Sequence, residues 1–165
     1  MRKLLILLAI GMPCNAATDP CLLLTKEEVL AVQGEAFTDA SKNVHTAGDV
    51  TVAQCFYGLR DASRSSSVVL ELTTAPHLHE MWEKQFEPGS DRERGESEPD
   101  AGERHAIEVK GLGRDAFWGG NRVSGALYVL APRAILRVSI GGRGDQASKL
   151  ERAKKLARMA MARMK

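Results

Sequence analysis

Two runs of alternating residues limit the fold of this 165-residue chain more than any other feature. In SVVLELTTA (67–75) and ILRVSI (135–140), the larger apolar side chains recur with the two-residue period of a β-strand. Arg137 and Ser139 fall between the apolar residues of the second run, which indicates one covered face and one wetter face. This pattern is typical of an antiparallel sheet.

Capping signals and helical periodicity predict three helices beside that sheet. Thr25 and Glu28 form a capping box and Gly34 is placed to end the helix, so the first helix should span 26–33. An apolar stripe in PHLHEMWEKQFE predicts a second helix, and we interpret that stripe as core. Asp145 is the expected N-cap of a long terminal helix. The predicted fold class is therefore α+β, an antiparallel sheet with helices packed on it.

The remaining segments divide into short strands and polar connections. We expect further strands at 51–57, 107–109, 116–118 and 126–130. The first of them should form a hairpin with the 67–75 strand, and the last should pair with 135–140. Residues 35–50 are mixed and polar and are expected to be loop. The segment 88–104, which is rich in charge, Gly and Pro, is expected to be a mobile loop.

The first residues have the layout of a secretory signal peptide. Arg2 and Lys3 precede an apolar run over 4–10, and small residues follow, so we expect cleavage after Ala16. That run is far shorter than the roughly 20 residues that a bilayer-spanning helix needs. The alternative is a buried N-terminal helix. We predict removal of residues 1–16, leaving one periplasmic or secreted domain over 17–165.

Cysteine usage fits export. Cys14 is a candidate for lipid attachment, but Pro13 stands where a lipoprotein peptidase favours Gly, Ala or Ser, so we expect Cys14 to leave with the signal peptide. Cys21 and Cys55 remain, and one disulfide is the simplest use of two cysteines in an oxidising compartment. It would close a loop of about 35 residues and contribute roughly 4 kcal/mol. Two free, buried thiols are the alternative.

Charge and motifs exclude several classes of function. After removal of Arg2 and Lys3 the chain holds 21 basic and 21 acidic residues, so its global charge gives no reason to bind nucleic acid. His77, His79 and His105 could suggest a metal site, but residues two apart on a helix point in different directions. GLGRDA (111–116) matches a short form of the dinucleotide-binding motif, but the helix that this motif needs does not follow it. GGRGD (141–145) contains the RGD triplet of adhesion motifs, but Asp145 is explained by its role as a helix cap. We expect no metal, no cofactor and no catalytic residues.

Several segments together resemble a known family. These are DPCLLLTKEEVLAVQG, QCFYG, VKGLGRDAFW, the paired ALYVL and AILRVSI, and the Ala/Arg/Lys-rich terminal helix. They resemble a family of small exported bacterial proteins and lipoproteins without assigned function, thought to adopt a compact α/β/α sandwich like the PsbP extrinsic subunit of photosystem II. The resemblance implies a fold and an envelope location, and no reaction.

The predicted function is therefore binding. The terminal helix carries an excess of basic residues that could dock an acidic envelope protein or an anionic surface, and the candidates are Lys149, Arg152, Lys155 and Arg158. We predict an exported, non-catalytic domain that binds a partner in the cell envelope. The alternative is an unrecognised envelope enzyme, or an enzyme inhibitor, that uses the concave face of the sheet.

Overall fold

The computed structural model describes residues 18–59, 67–86, 106–121 and 123–164. The predicted signal peptide (1–16), with Cys14, and the predicted mobile loop (88–104) lie outside the described residues. The described elements are, in chain order, a 3₁₀ turn (Pro20–Leu22), α1 (Lys26–Gln33), β1 (Phe37–Ala47), β2 (Val50–Leu59), β3 (Val68–Thr74), α2 (Leu78–Phe86), β4 (Ile107–Glu108), β5 (Asp115–Gly120), β6 (Gly125–Leu130), β7 (Ile135–Ile140) and α3 (Gln146–Arg163).

The strands form one seven-stranded sheet in the order β1-β2-β3-β7-β6-β5-β4, and every neighbouring pair is antiparallel. This confirms the predicted α+β class. The predicted pairings of β2 with β3 and of β6 with β7 are both present. The β3–β7 pairing joins the two alternating runs at the centre of the sheet.

One face of the sheet, which we call the closed face, is covered by α1 and α3. Register places Leu70 opposite Val138 and Leu72 opposite Leu136, so the apolar sides of both alternating runs meet on this face. The helices contribute apolar residues of their own to the same core. Its largest cluster holds Val29, Cys55, Tyr57, Val68, Leu70, Leu72, Ala116, Trp118, Leu127, Val129, Leu136, Val138, Ile140, Ala153, Leu156, Ala157 and Ala160.

The opposite face, which we call the open face, is contacted by α2. Trp82 of α2 packs with Leu130 and Ile135 in a second, smaller cluster. Phe86 lies parallel to Phe117, with 5.1 Å between ring centroids and 9° between the ring planes. The apolar stripe of α2 is therefore core, as the sequence predicts.

The helix boundaries follow their capping residues. The amide of Glu28 donates to Thr25 Oγ1, and the amide of Thr25 donates to Glu28 Oε2, so the predicted capping box is present and α1 has its predicted bounds. Asp145 caps α3 by accepting from the amide of Ser148 at 2.8 Å. The buried residues of α3 are Lys149, Ala153, Leu156, Ala157 and Ala160.

The expectation of a loop over 35–50 is wrong for most of its length, because β1 occupies Phe37–Ala47. Among the described strands it pairs only with β2, and from Asp39 onward its residues are solvent-exposed. An edge strand that is wet on both faces needs no apolar alternation, so it carries no periodic signal. Gly48 and Asp49 form the two-residue connection to β2, with Gly48 in the left-handed conformation.

The predicted disulfide joins Cys21 to Cys55, whose Cα atoms are 5.1 Å apart. It connects the 3₁₀ turn to β2, the second strand in chain order. Asp19 caps this turn by accepting from the amide of Cys21 at 2.9 Å, and it also accepts from Lys42 Nζ on β1 at 2.7 Å. The start of the domain is therefore attached to the sheet by one covalent bond and one ion pair.

Candidate binding site

A groove of about 580 Å³ lies on the open face, beside the end of α2. Its floor is formed by residues of β3, β7 and β6 that point away from the closed face, and Phe86 of α2 borders it. Gly119 and Gly120 at the end of β5 form part of the rim. Volumes of 300–1,000 Å³ are typical of small-molecule sites, so the groove is large enough to hold one.

Two polar side chains on the floor are incompletely partnered. Arg137 and Ser139 lie two residues apart on β7 and project from the same face. The Arg137 Nε and Ser139 Oγ atoms are shielded from solvent and have no hydrogen-bond partner among the described residues. A shielded polar atom that makes no hydrogen bond costs about 1–3 kcal/mol.

The rest of the Arg137 guanidinium is held from one side. Its Nη1 atom lies 3.4 Å from Glu71 Oε2 on the neighbouring strand, and that oxygen also accepts from Gln54 Nε2 at 2.5 Å. The guanidinium carbon lies 5.6 Å from the ring centroid of Tyr128. The Arg137 side chain as a whole is 36% exposed and lines the groove, although its Nε atom is shielded.

An aromatic wall stands beside these donors. Phe86 and Tyr128 both line the groove, with 5.1 Å between their ring centroids. Phe86 is fixed from behind by Trp82, at 4.4 Å between centroids. The indole of Trp82 donates to Asp115 Oδ2 at 3.0 Å, which anchors α2 to β5. The wall is therefore attached to the sheet by packing and by a hydrogen bond.

Space in the groove depends on a residue without a side chain. A Cβ atom added to Gly119 would meet nothing within 4 Å, and the backbone there is not in the left-handed region. A larger residue at this position would therefore project into open space without straining the strand. Gly125, in contrast, lies against the Trp118 ring of the closed face, where an added Cβ would clash.

A second cavity, of about 770 Å³, lies at the other end of the sheet. Met161 and Met164 of α3 line it together with Pro76 and Pro132. Neither of the two unpartnered, shielded side-chain atoms of the described residues belongs to it. The groove on the open face is therefore the better candidate site.

The groups whose pKa values are displaced most clearly serve the closed face and the helix caps. Hydrogen bonds from Arg163 lower the pKa of Glu28, and the hydrogen bond from Lys42 lowers that of Asp19. Burial raises the pKa of Tyr57 to about 12, and its hydroxyl donates to the Leu24 carbonyl at 3.0 Å. These groups do not line the groove.

The four basic residues predicted to meet a partner do not form one surface. Lys149 is fully buried, and its Nζ donates to the Val123 carbonyl at 3.1 Å, so it is not exposed to a partner. Arg152 donates to Gln33 Oε1 at 3.1 Å and links α3 to α1. Lys155 and Arg158 are exposed on α3, and for these two a partner contact stays a prediction.

The motifs considered for metal and dinucleotide binding have local structural roles. The exposed His77, just before α2, lies beside Glu80, and the exposed His79 on α2 lies beside Glu83, while His105 lies outside the described residues. Among the described residues no group of three or more His, Cys, Asp or Glu side chains could hold a metal ion. The glycines of GLGRDA have positive φ angles and form the turn that leads into β5.

The groove itself is absent from the sequence predictions. Alternation on β7 correctly places Arg137 and Ser139 on the wetter side of the sheet. What the pattern cannot show is where α2 ends on that face. The one available signal is the polar pair Arg-x-Ser (137–139) in a strand otherwise rich in apolar residues. Polar side chains in a central strand are uncommon, and they indicate a specific structural or binding role.

Comparisons of the chain with protein-family models, curated proteins and solved structures found no match. Among the described residues, no helix is long and apolar enough to cross a membrane. The resemblance to the PsbP-like family therefore stays a prediction.

Proposed function

We propose that this protein is an exported, non-catalytic domain that binds a partner in the cell envelope, and that the groove on the open face is its binding site. The carrying observation is the pair of donors on the groove floor, Arg137 Nε and Ser139 Oγ, which have no hydrogen-bond partner among the described residues. Buried polar groups are normally satisfied in a folded protein. Atoms left unsatisfied beside an open groove are best explained by a ligand that supplies the acceptor.

Export is supported by two independent features. The N-terminal residues have the composition of a signal peptide, with cleavage expected after Ala16. The disulfide between Cys21 and Cys55 fits the same route, because such bonds form and persist in oxidising compartments. Cleavage after Ala16 would remove Cys14, so the proposed mature protein is periplasmic or secreted without a lipid anchor.

Binding is favoured over catalysis by the chemistry of the groove. An enzyme needs titratable groups tuned to transfer protons or attack a substrate, and such groups usually have displaced pKa values. The clearly displaced pKa values of the described residues belong to caps, ion pairs and the buried Tyr57, away from the groove lining. The groove lining instead offers the Arg137 cation, several hydroxyl and amide side chains and two aromatic rings, which suits recognition.

Export is tested by the intact mass of protein made in an exporting host. The expected mass is that of residues 17–165 less two hydrogens for the disulfide. A mature N-terminus at Cys14 carrying acyl mass, or an uncut chain kept in the cytosol, would overturn this part of the proposal.

The binding site is tested by capture from envelope extract with mature, oxidised protein. The chain is compared with Gly119→Leu, which fills the groove, and with Ala162→Leu, which adds the same side chain at an exposed position of α3. We expect one or more species to be retained by the unmodified protein and by Ala162→Leu, and lost with Gly119→Leu. Equal retention by all three proteins would show that the groove is not the site.

A further inference from the structure

We propose that the ligand of the groove is a small organic carboxylate with a flat, apolar body. This inference rests on the proposed function, since it takes the groove as the binding site and adds the chemistry of the ligand. Within the proposal, the Arg137 and Ser139 side chains rotate toward the groove when the ligand binds, and the carboxylate accepts hydrogen bonds from both. The apolar body lies against Phe86 and Tyr128.

The charge of the ligand follows from how Arg137 is held. Arginine binds carboxylates with two parallel hydrogen bonds along one edge of its planar guanidinium. Glu71 is 3.4 Å from Nη1, which is a long, single contact, and among the described residues the Nε atom of the guanidinium has no acceptor. Arg137 is also the only charged residue among the described residues that line the groove. An anion is therefore the complement of this floor.

Ser139 adds a second donor in the right place. It lies two residues from Arg137 on β7, and both side chains project into the groove. Across the strands, Ser139 is paired with Val69 and Ala126, which offer no side-chain acceptor. Its hydroxyl can therefore turn toward a ligand oxygen without losing a bond that it already makes.

The body of the ligand follows from the wall and the volume. Phe86 and Tyr128 present ring surfaces beside the donors, and flat rings pack well against such surfaces. A groove of about 580 Å³ is in the range of small-molecule sites, and it is concave rather than flat. This geometry favours a free small molecule over a macromolecular surface.

The probe is 3-phenylpropionate, and its neutral analogue 3-phenylpropanamide has nearly the same shape. Binding of each to mature, oxidised protein is measured by titration with two-dimensional amide NMR. We expect the carboxylate to bind at least about tenfold more tightly than the amide, because the amide forfeits the charge-assisted bonds. The shifted amides should lie on β6, β7 and the end of α2.

Two variants test the assigned contacts, with a matched control for charge. Arg137→Gln should remove the preference for the carboxylate, and Ser139→Ala should weaken carboxylate binding several-fold while leaving the fold intact. Arg114→Gln removes the same charge from an exposed position in the turn before β5 and should change neither affinity. Thermal melts establish that each variant is folded. If Arg137→Gln does not fold, the response to Ser139→Ala still decides whether the assigned contacts are made.

The outcomes separate this inference from the proposed function. If both probes bind equally and Gly119→Leu blocks both, the groove is a binding site but the carboxylate assignment is wrong. If the carboxylate binds with shifts elsewhere, or with no response to Ser139→Ala, the inference is also overturned. If neither probe binds while envelope capture still depends on Gly119, the proposed function stands and its ligand is of another class.

Discussion

The two faces of the sheet treat their polar groups in opposite ways. On the closed face the buried hydroxyl of Tyr57 donates to the Leu24 carbonyl, and even the buried Lys149 reaches the Val123 carbonyl. On the open face the Ser139 hydroxyl and the Arg137 Nε atom have no partner among the described residues. These two buried polar groups of the closed face are thus hydrogen-bonded, whereas two donors beside the groove on the open face are not, among the described residues.

This difference separates stability from recognition. The disulfide, the α1 and α3 packing and the cap of the 3₁₀ turn all act on the closed face and on the edge of the sheet beside it. On the open face, α2 and its aromatic cluster border the groove. A change on one face should therefore leave the properties of the other face unaltered.

The largest effect is expected from removing the disulfide. Cys21→Ala combined with Cys55→Ala opens a cross-link between residues 34 apart in sequence, which should lower the free energy of unfolding by about 4 kcal/mol. The effect arises because the unfolded chain regains the freedom that the cross-link removes. Urea unfolding of the oxidised protein and of the double variant measures it.

The groove serves as the control for this change. Because the cross-link lies on the closed side of the sheet, the double variant should still bind a groove ligand when studied well below its unfolding midpoint. Equal unfolding midpoints for the two proteins would show that the cross-link contributes little. Lost binding in a fully folded variant would show that the two faces are coupled.

The second effect concerns the hydroxyl of Tyr57. Tyr57 is 1% exposed, and Tyr57→Phe would leave the Leu24 carbonyl without that donor. An unsatisfied buried acceptor costs about 1–3 kcal/mol, so we expect a loss of stability in that range. Chemical denaturation measures the change, and an unchanged midpoint would mean that water replaces the lost hydroxyl.

The pH dependence of stability should show a smaller effect at Glu28. Arg163 donates to both carboxylate oxygens of Glu28, at 2.7 and 2.9 Å, and these bonds lower its pKa below the ordinary value of 4.5. A carboxylate with a lowered folded pKa stabilises the fold above its unfolded pKa, and this contribution is lost as pH falls through the folded pKa. Glu28→Gln should therefore lower stability at pH 7 and reduce the loss between about pH 5 and 3.

The matched control for this prediction is Glu108→Gln. Glu108 is an exposed carboxylate on β4. Glu108→Gln therefore removes the same charge as Glu28→Gln but keeps the contact between Glu28 and Arg163. Unfolding midpoints measured at pH 7, 5, 4 and 3 compare the variants. A parallel pH profile for Glu28→Gln and the unmodified protein would rule out the assigned role of the Arg163 pair.

Local signals predicted the closed face better than the open one. The capping box at Thr25 and the cap at Asp145 depend on neighbouring residues, and both helices begin where the sequence predicts. Alternation on β3 and β7 also identified the covered side. In these cases the determining contacts are local, so they are visible in the sequence as a capping residue or as a two-residue period.

The errors arise where tertiary context decides. β1 is held by its ladder to β2, with both faces wet, so only the Gly48-Asp49 connection marked a hairpin there. Lys149 is buried because its long side chain can bring the ammonium to a carbonyl from the neighbouring turn. The groove depends on where α2 lies across the sheet, and no property of one segment encodes that placement.

The smallest effect on stability is expected for Ser139→Ala, and it tests the comparison most directly. Tyr57 and Ser139 both carry hydroxyls on central strands, but only that of Tyr57 has a partner. Removing an unpartnered, shielded hydroxyl eliminates a desolvation cost and breaks no bond, so the free energy of unfolding should be unchanged or slightly increased. A loss of 1 kcal/mol or more, about what Tyr57→Phe should cost, would mean that the hydroxyl is already satisfied within the free protein. The donor would then not be available to a ligand, and the distinction between the faces would disappear.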